Sequence, residues 1–239
     1  MDLGISNKVA LVTGGVRGIG LAIVERLLAE GCQVVAADID EAAGAALPAQ
    51  VAFALCDVSD ESECEELLSA LDDEIGAPDI LVNNAGVQSV VPLAEATLED
   101  WERVLRINLT SAFMLSKLVV PTMKRRGWGR VVNIASMAGK VGGLTVSASY
   151  ATSKAGMIGL TKSVARAGAP QVTSNAVCPA FIATTMTNPA MEAEYVRQIP
   201  VGRLGKPEEI AAAVAFLASD MAGYVTGEVF DLNGGMLMD

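Results

Sequence analysis

The sequence predicts an α/β protein built on a doubly wound parallel sheet of seven strands, with helices on both faces. Three observations carry that expectation. Short apolar runs alternate with longer amphipathic stretches along the whole chain, the rhythm of βαβ units. The short runs span three to six residues without polar alternation, which suits strands covered on both faces. A glycine cluster follows the first run directly and opens into an amphipathic stretch, the order of strand, tight turn and helix.

Taken in order, the apolar run at 9–12 is the first strand and the amphipathic stretch at 19–29 its helix. Strands at 34–37 and 51–55 follow, then a helix at 64–75 and a strand at 80–82. The second half continues with a long helix at 98–123, a strand at 131–134, a helix at 149–166 and a strand at 172–177. A helix at 208–218 and a last strand at 228–232 complete the pattern. Gly and Pro are scattered singly, with no linker, repeat or low-complexity tract, so 1–239 is expected to form one domain.

The chain has 239 residues and no histidine, which excludes imidazole-based triads, HExxH zinc sites and histidine acid/base chemistry. Proton chemistry must use another side chain. Cys32, Cys56, Cys64 and Cys178 show no CxxC spacing, so neither a metal site nor a disulfide framework is expected, and a reducing cytoplasm fits. No export signal or spanning helix is visible, and no membrane partner is expected. A formal charge of −11 argues against a nucleic-acid surface.

The segment TGGVRGIG at 13–20 places Gly14, Gly18 and Gly20 where backbone must pack closely against a pyrophosphate at the positive end of a helix. The second strand ends in Asp38, eighteen residues past Gly20. An acid there accepts hydrogen bonds from both ribose hydroxyls of an adenine nucleotide and repels a 2′-phosphate. Asp40 and Glu41 add negative charge, whereas Arg17 is the one nearby residue that would welcome a phosphate. NAD is therefore expected as cofactor in preference to NADP.

YATSK at 150–154 puts Tyr150 and Lys154 on one face of a helix. A phenol is a poor base at neutral pH, but an adjacent ammonium favours phenolate and would lower its pKa toward the working range. Ser136 lies just past the strand at 131–134, at the strand end where open α/β sheets place ligand crevices, and its hydroxyl can bond a substrate oxygen. Asn108, in RINLT, is polar among apolar neighbours, and a satisfied amide at a helix kink explains it equally well.

Together with CDVSD, NNAG, NIASMAG, NAVCPA and GRLGKPEEIAAAVAFLASD, these motifs resemble the short-chain dehydrogenase/reductase family, in order and over about 7–236. The resemblance implies a Rossmann-type domain in which Tyr150 is the general acid/base and Lys154 holds the nicotinamide ribose. It implies that Ser136 orients the carbonyl and that Asn108 anchors a water in a proton relay. It also implies that Ile19 lies with the glycine loop, Asp57 and Val58 flank the adenine, and Asn83, Ala85 and Gly86 line the cofactor. Pro179, Ile182 and Thr184 would stand beside the nicotinamide. Ala180 replaces the family's usual glycine after Pro179, and the stretch 166–175, with Pro170 and Ser174, looks about one residue short.

The tail most resembles the 3-oxoacyl carrier-protein reductases. Lys124, Arg125, Arg126 and Arg130 form a basic cluster suited to an acidic carrier protein, or else a solvated helix end. Biosynthetic reductases of that kind usually take NADPH, so Asp38 argues against that activity and against acyl carrier protein as partner. Val90, Met137, Val141, Leu144, Val146, Phe181, Ile182 and Met186 are expected to border a hydrophobic small-molecule substrate. The expected activity is NAD(H)-dependent interconversion of a secondary alcohol and a ketone. A 3-oxoacyl thioester reductase stands second and a non-catalytic dinucleotide sensor third. Apolar helical faces at 104–118 and 157–164 suggest a homotetramer.

Overall fold

The computed structural model describes residues 2–143 and 145–238. The elements run β1 (Val9–Thr13), α1 (Gly18–Ala29), β2 (Gln33–Asp38), α2 (Glu41–Gly44), β3 (Ala52–Leu55), α3 (Glu61–Glu74) and β4 (Ile80–Asn83). They continue with α4 (Leu98–Leu105), a π-helical turn (Arg106–Thr110), α5 (Ser111–Arg126), β5 (Gly129–Ile134), α6 (Ala138–Val141) and α7 (Ala148–Gly168). Then come β6 (Val172–Pro179), α8 (Glu192–Gln198), α9 (Pro207–Leu217) and β7 (Val229–Leu232). The seven strands pair in parallel in the order β3-β2-β1-β4-β5-β6-β7.

Side-chain alternation explains the unbroken apolar strands. In β1, Ala10 and Val12 face a core with Ile23 and Leu27 of α1 and Ile210, Val214 and Leu217 of α9. Leu11, between them, faces the opposite core with Leu67 and Leu71 of α3 and Leu115 and Met123 of α5. Both sheet faces are thus covered, and a charge on either would be buried. The helices start where side chains satisfy free amides: Asp60 accepts from Ser62 N at 2.8 Å, Thr97 from Asp100 N at 3.1 Å and Ser147 from Tyr150 N at 3.2 Å. Gly127, with φ 80°, ends α5 in the left-handed region.

The expected strands and long helices are present with bounds shifted by a few residues. The helix expected at 98–123 is interrupted by the π turn around Asn108, and α2, α6 and α8 are short helices without a sequence signal. The stretch at 166–175 is regular: α7 ends at Gly168 and β6 keeps its register, with Val131 opposite Ser174. The region Leu98–Arg126 is long and apolar enough by composition to cross a membrane, but half of it is buried, with Val104, Leu115, Val119 and Met123 in the core. Of the two faces expected to pair subunits, Val104, Met157 and Val164 are covered within the protomer, while Phe113 is 51% exposed.

β1 lies between β2 and β4, so the chain winds away from it in both directions. Loops at the carboxyl ends of these strands diverge and leave a crevice.

Candidate active site

A cleft of about 1060 Å³ opens at that crevice. Its walls include Gly14, Arg17, Gly18, Ile19 and Gly20 from the glycine loop, and Asp38, Asp57 and Val58 from the ends of β2 and β3. Ala85, Gly86, Ser136, Tyr150, Lys154, Pro179, Ile182 and Thr184 complete the expected set. Sixteen motif-scattered positions thereby meet in one space.

Two expected residues stand elsewhere. Asn83 is 3% exposed and lies in the sheet interior, where its Nδ2 donates to Asn133 Oδ1 at 2.8 Å. Its neighbour Asn84 takes the cleft position, since successive strand residues point to opposite faces. Asn84 Nδ2 donates to the carbonyls of Thr13 and Gly14, both at 2.9 Å, and so clasps the glycine loop. Asn108 is fully buried behind the cleft wall. Its Oδ1 accepts from Val87 N at 2.8 Å, while Nδ2 donates to Val87 O at 3.0 Å and Ser153 Oγ at 3.1 Å. With both side-chain donors spent, this amide clamps the segment after β4.

The glycine loop fits a dinucleotide pyrophosphate. α1 begins at Arg17 without the side-chain cap that α3, α4 and α7 have, and with no acid in its first turn, so its first amides are free for an anion. A methyl group on Gly14 would stand 2.9 Å from Ala85 Cα, and one on Gly20 would run into the Gly14 carbonyl oxygen. Gly86 leaves similar room, because a Cβ there would lie 3.3 Å from Asn108 Oδ1 and 3.6 Å from Lys154 Nζ. Asp38 Oδ1 accepts from Asp40 N at 3.1 Å. Asp38 is partly exposed on the cleft wall.

Ser136 follows β5, and the β5–β6 ladder continues past it through Met137 N to Pro179 O at 2.9 Å. Ser136 Oγ accepts from Ala138 N at 3.1 Å, and its hydroxyl acts to lower the pKa of Tyr150. Lys154, one turn along α7 from Tyr150, is buried and donates from Nζ to Ile134 O at 2.7 Å. α6 and α7 meet closely at this point: a Cβ on Gly139 would stand 2.6 Å from the Lys154 carbonyl carbon.

Burial dominates the electrostatics. It pushes the Tyr150 phenol above its ordinary value, with the Ser136 hydroxyl pulling the other way. It pushes the Lys154 ammonium down from 10.5 to about 8, opposed by the neighbouring Cys178. The expectation that Lys154 lowers the Tyr150 pKa therefore does not hold in the cofactor-free protein, because the ammonium is desolvated and bonded to Ile134 O, 5.9 Å from the Tyr150 ring centre. Tyr150 carries its proton at neutral pH.

This placement of Lys154 predicts a pH-dependent stability. Below pH 8 the folded and unfolded chains both hold the proton, and the burial cost is fully present. Between about pH 8 and 10.5 the unfolded chain binds more protons, so stability rises with pH by up to roughly 3 kcal/mol from this group. Lys154→Met removes the charge, and its stability advantage over wild type in urea unfolding should shrink across that window. A constant difference from pH 7 to 10.5 would show that the ammonium is not desolvated.

Val90, Met137, Val141, Val146, Phe181, Ile182 and Met186 line the rest of the cleft as expected, with Ala180 among them, while Leu144 lies outside the described residues. Phe181 and Tyr195 stack at 4.0 Å on this side. The basic cluster is not there. Arg130 is the second residue of β5, at the opposite end of the sheet, roughly 13 Å of strand from Ile134, and is 5% exposed. Lys124 donates to Ala167 O, Arg125 to Thr122 Oγ1, and Arg126 pairs with Asp79 at 2.9 Å. Each of these three side chains is thus bonded within its own chain.

A family model described as enoyl-(acyl carrier protein) reductase matches residues 14–237. The 3-oxoacyl-[acyl-carrier-protein] reductase FabG of Vibrio cholerae is 44% identical over 245 aligned residues, covering 99% of this chain and 100% of that protein. Among solved structures, ligand-free aldohexose dehydrogenase of Thermoplasma acidophilum superposes with a TM-score of 0.91 at 34% identity, covering 97% of this chain and 94% of the other. A short-chain dehydrogenase/reductase from Brucella melitensis described as glucose/ribitol dehydrogenase gives 0.92 at 33%, covering both chains fully. In motif order, sheet topology, site geometry and relatives alike, this chain belongs to the short-chain dehydrogenase/reductase family.

Proposed function

We propose that this protein reduces the ketone of a 3-oxoacyl thioester to a secondary alcohol, with NAD(H) preferred over NADP(H). As a family member it is an oxidoreductase acting on CH–OH groups with a nicotinamide dinucleotide. The sequence placed a general secondary alcohol first and the thioester second. Relatives of 40 to 44% identity over the full chain, named as 3-oxoacyl-[acyl-carrier-protein] reductases, favour the reverse order. The observation that carries the reading is the pair of hydroxyls Ser136 and Tyr150, brought together on the wall of one largely apolar cleft, with Tyr150 protonated at neutral pH. Carbonyl reduction consumes a proton, and this state supplies it.

A bound nicotinamide dinucleotide supplies the hydride. The residues that would hold it are Gly14, Arg17, Gly18, Ile19 and Gly20 at the pyrophosphate, Asp38 at the adenine ribose and Asp57 and Val58 at the adenine. Asn84, Ala85 and Gly86 would line it, with Lys154, Pro179, Ile182 and Thr184 at the nicotinamide end. Ser136 Oγ–H donates to the ketone oxygen and fixes it. Tyr150 Oη–H gives its proton to the same oxygen as charge develops there. Asn108 holds Val87 and, through Ser153, the first turn of α7. We further propose one domain over 1–239, a cytoplasmic location and a homotetramer, which light scattering at micromolar concentration would test.

The test is a panel of acetoacetyl-CoA, simple ketones and aldoses with each cofactor. The thioester should give the highest kcat/KM, and NADH should exceed NADPH at least tenfold, about 1.4 kcal/mol. Asp38→Ala should narrow that gap. Turnover of an aldose or simple secondary alcohol without thioester reduction would overturn the substrate assignment, and equal cofactor efficiencies would overturn the cofactor assignment.

A further inference from the structure

Arg17 and Asp40 form an ion pair at the adenosine end of the cleft, joining the glycine loop to the segment after β2. The carboxylate is held in place. Its Oδ1 accepts from Ala43 N at 2.9 Å, capping α2, while Oδ2 takes Arg17 Nη2. Asp40 N in turn donates to Asp38 Oδ1 at 3.1 Å, so the two acids form one frame. Arg17 is the flexible partner, with its side chain 58% exposed. It caps α1 in extended backbone and makes no hydrogen bond to that helix from its side chain.

These positions give Arg17 a choice. It is the cation of the glycine loop, and a dianionic 2′-phosphate on an adenine ribose would compete with Asp40 for its guanidinium. We propose that Asp40 is a specificity-determining residue that disfavours a 2′-phosphorylated dinucleotide by holding Arg17, separately from the repulsion exerted by Asp38. The inference rests on the reading that the cleft accepts NAD(H) with the adenosine at Asp38. It differs from simple charge repulsion in one respect: the effect of Asp40 must vanish when Arg17 is absent.

The experiment is a double-mutant cycle read by calorimetry on the cofactor-free protein, with adenosine 2′,5′-bisphosphate and 5′-AMP as probes. Asp40→Asn keeps an oxygen to cap α2 while removing the charge. An exposed ion pair is worth up to about fivefold in an equilibrium constant, and its loss also removes a nearby negative charge. Asp40→Asn should therefore tighten the bisphosphate by roughly 3- to 10-fold and change 5′-AMP by less than about twofold. Arg17→Met alone should change the bisphosphate and 5′-AMP by the same factor, and in the Asp40→Asn background it should abolish the gain. Tightening that persists without Arg17, equal loss on Arg17→Met in both backgrounds, or no tightening on Asp40→Asn would each overturn the proposal. Tighter wild-type binding of the bisphosphate than of 5′-AMP would overturn the NAD(H) reading instead, and the Arg17–Asp40 coupling would still be scored from the variants.

Discussion

Tyr150→Phe should reduce turnover by about 10² to 10⁴, the range that general acid/base catalysis supplies, with dinucleotide affinity within about twofold of wild type. The substitution keeps the ring and deletes only the hydroxyl. Without it the ketone oxygen loses the group whose raised pKa keeps a proton ready at neutral pH. No histidine stands by to substitute. Steady-state kinetics with acetoacetyl-CoA and a dinucleotide titration on the same preparation separate the two effects. Near wild-type turnover in the variant would show that the proton comes from elsewhere.

Gly20→Ala should abolish measurable dinucleotide binding, a loss of at least about 100-fold, or roughly 2.7 kcal/mol. The new methyl would collide with the Gly14 carbonyl and stand 2.6 Å from Asn84 Nδ2, both parts of the clasp that shapes the phosphate loop. The backbone on both sides must shift, and overpacking of this kind costs about 1 to 3 kcal/mol of stability as well. Gly18→Ala offers the contrast. Its Cβ meets only Thr184 at 3.5 Å, and the cost comes from a φ of +54° in the left-handed region. Its loss in affinity should be several times smaller, and equal losses from the two variants would show that the loop is not held by the Gly14–Asn84 contacts.

Much of this site was legible because each legible residue sits at a boundary the sequence marks. The glycine loop follows an apolar run, Asp38 ends another, Ser136 lies just past a third, and Tyr150 and Lys154 share one helix face. What failed depended on distances between elements. NNAG names two adjacent asparagines, but only the pairing of Asn83 with Asn133 across β4 and β5 decides that Asn84 faces the cleft. The π turn at 106–110 leaves the helical pattern of RINLT unchanged, so nothing in it revealed that the Asn108 amide is spent on Val87 and Ser153. The four-residue step from Tyr150 to Lys154 fixes a common face, whereas the course of the lysine chain to Ile134 O is set by β5. Lys124, Arg125, Arg126 and Arg130 are near in sequence to Ser136, yet one strand length of sheet separates them from it.

The proton-donor role of Tyr150 is tested most directly by the pH dependence of ketone reduction at saturating dinucleotide, measured for wild type and Tyr150→Phe together. The account predicts that wild-type reduction is level through neutral pH and declines on the alkaline side with loss of one proton, because only the protonated phenol can donate. The residual activity of Tyr150→Phe should lack that decline. Wild-type reduction that rises with pH through neutrality, or an alkaline decline that persists in Tyr150→Phe, would contradict it.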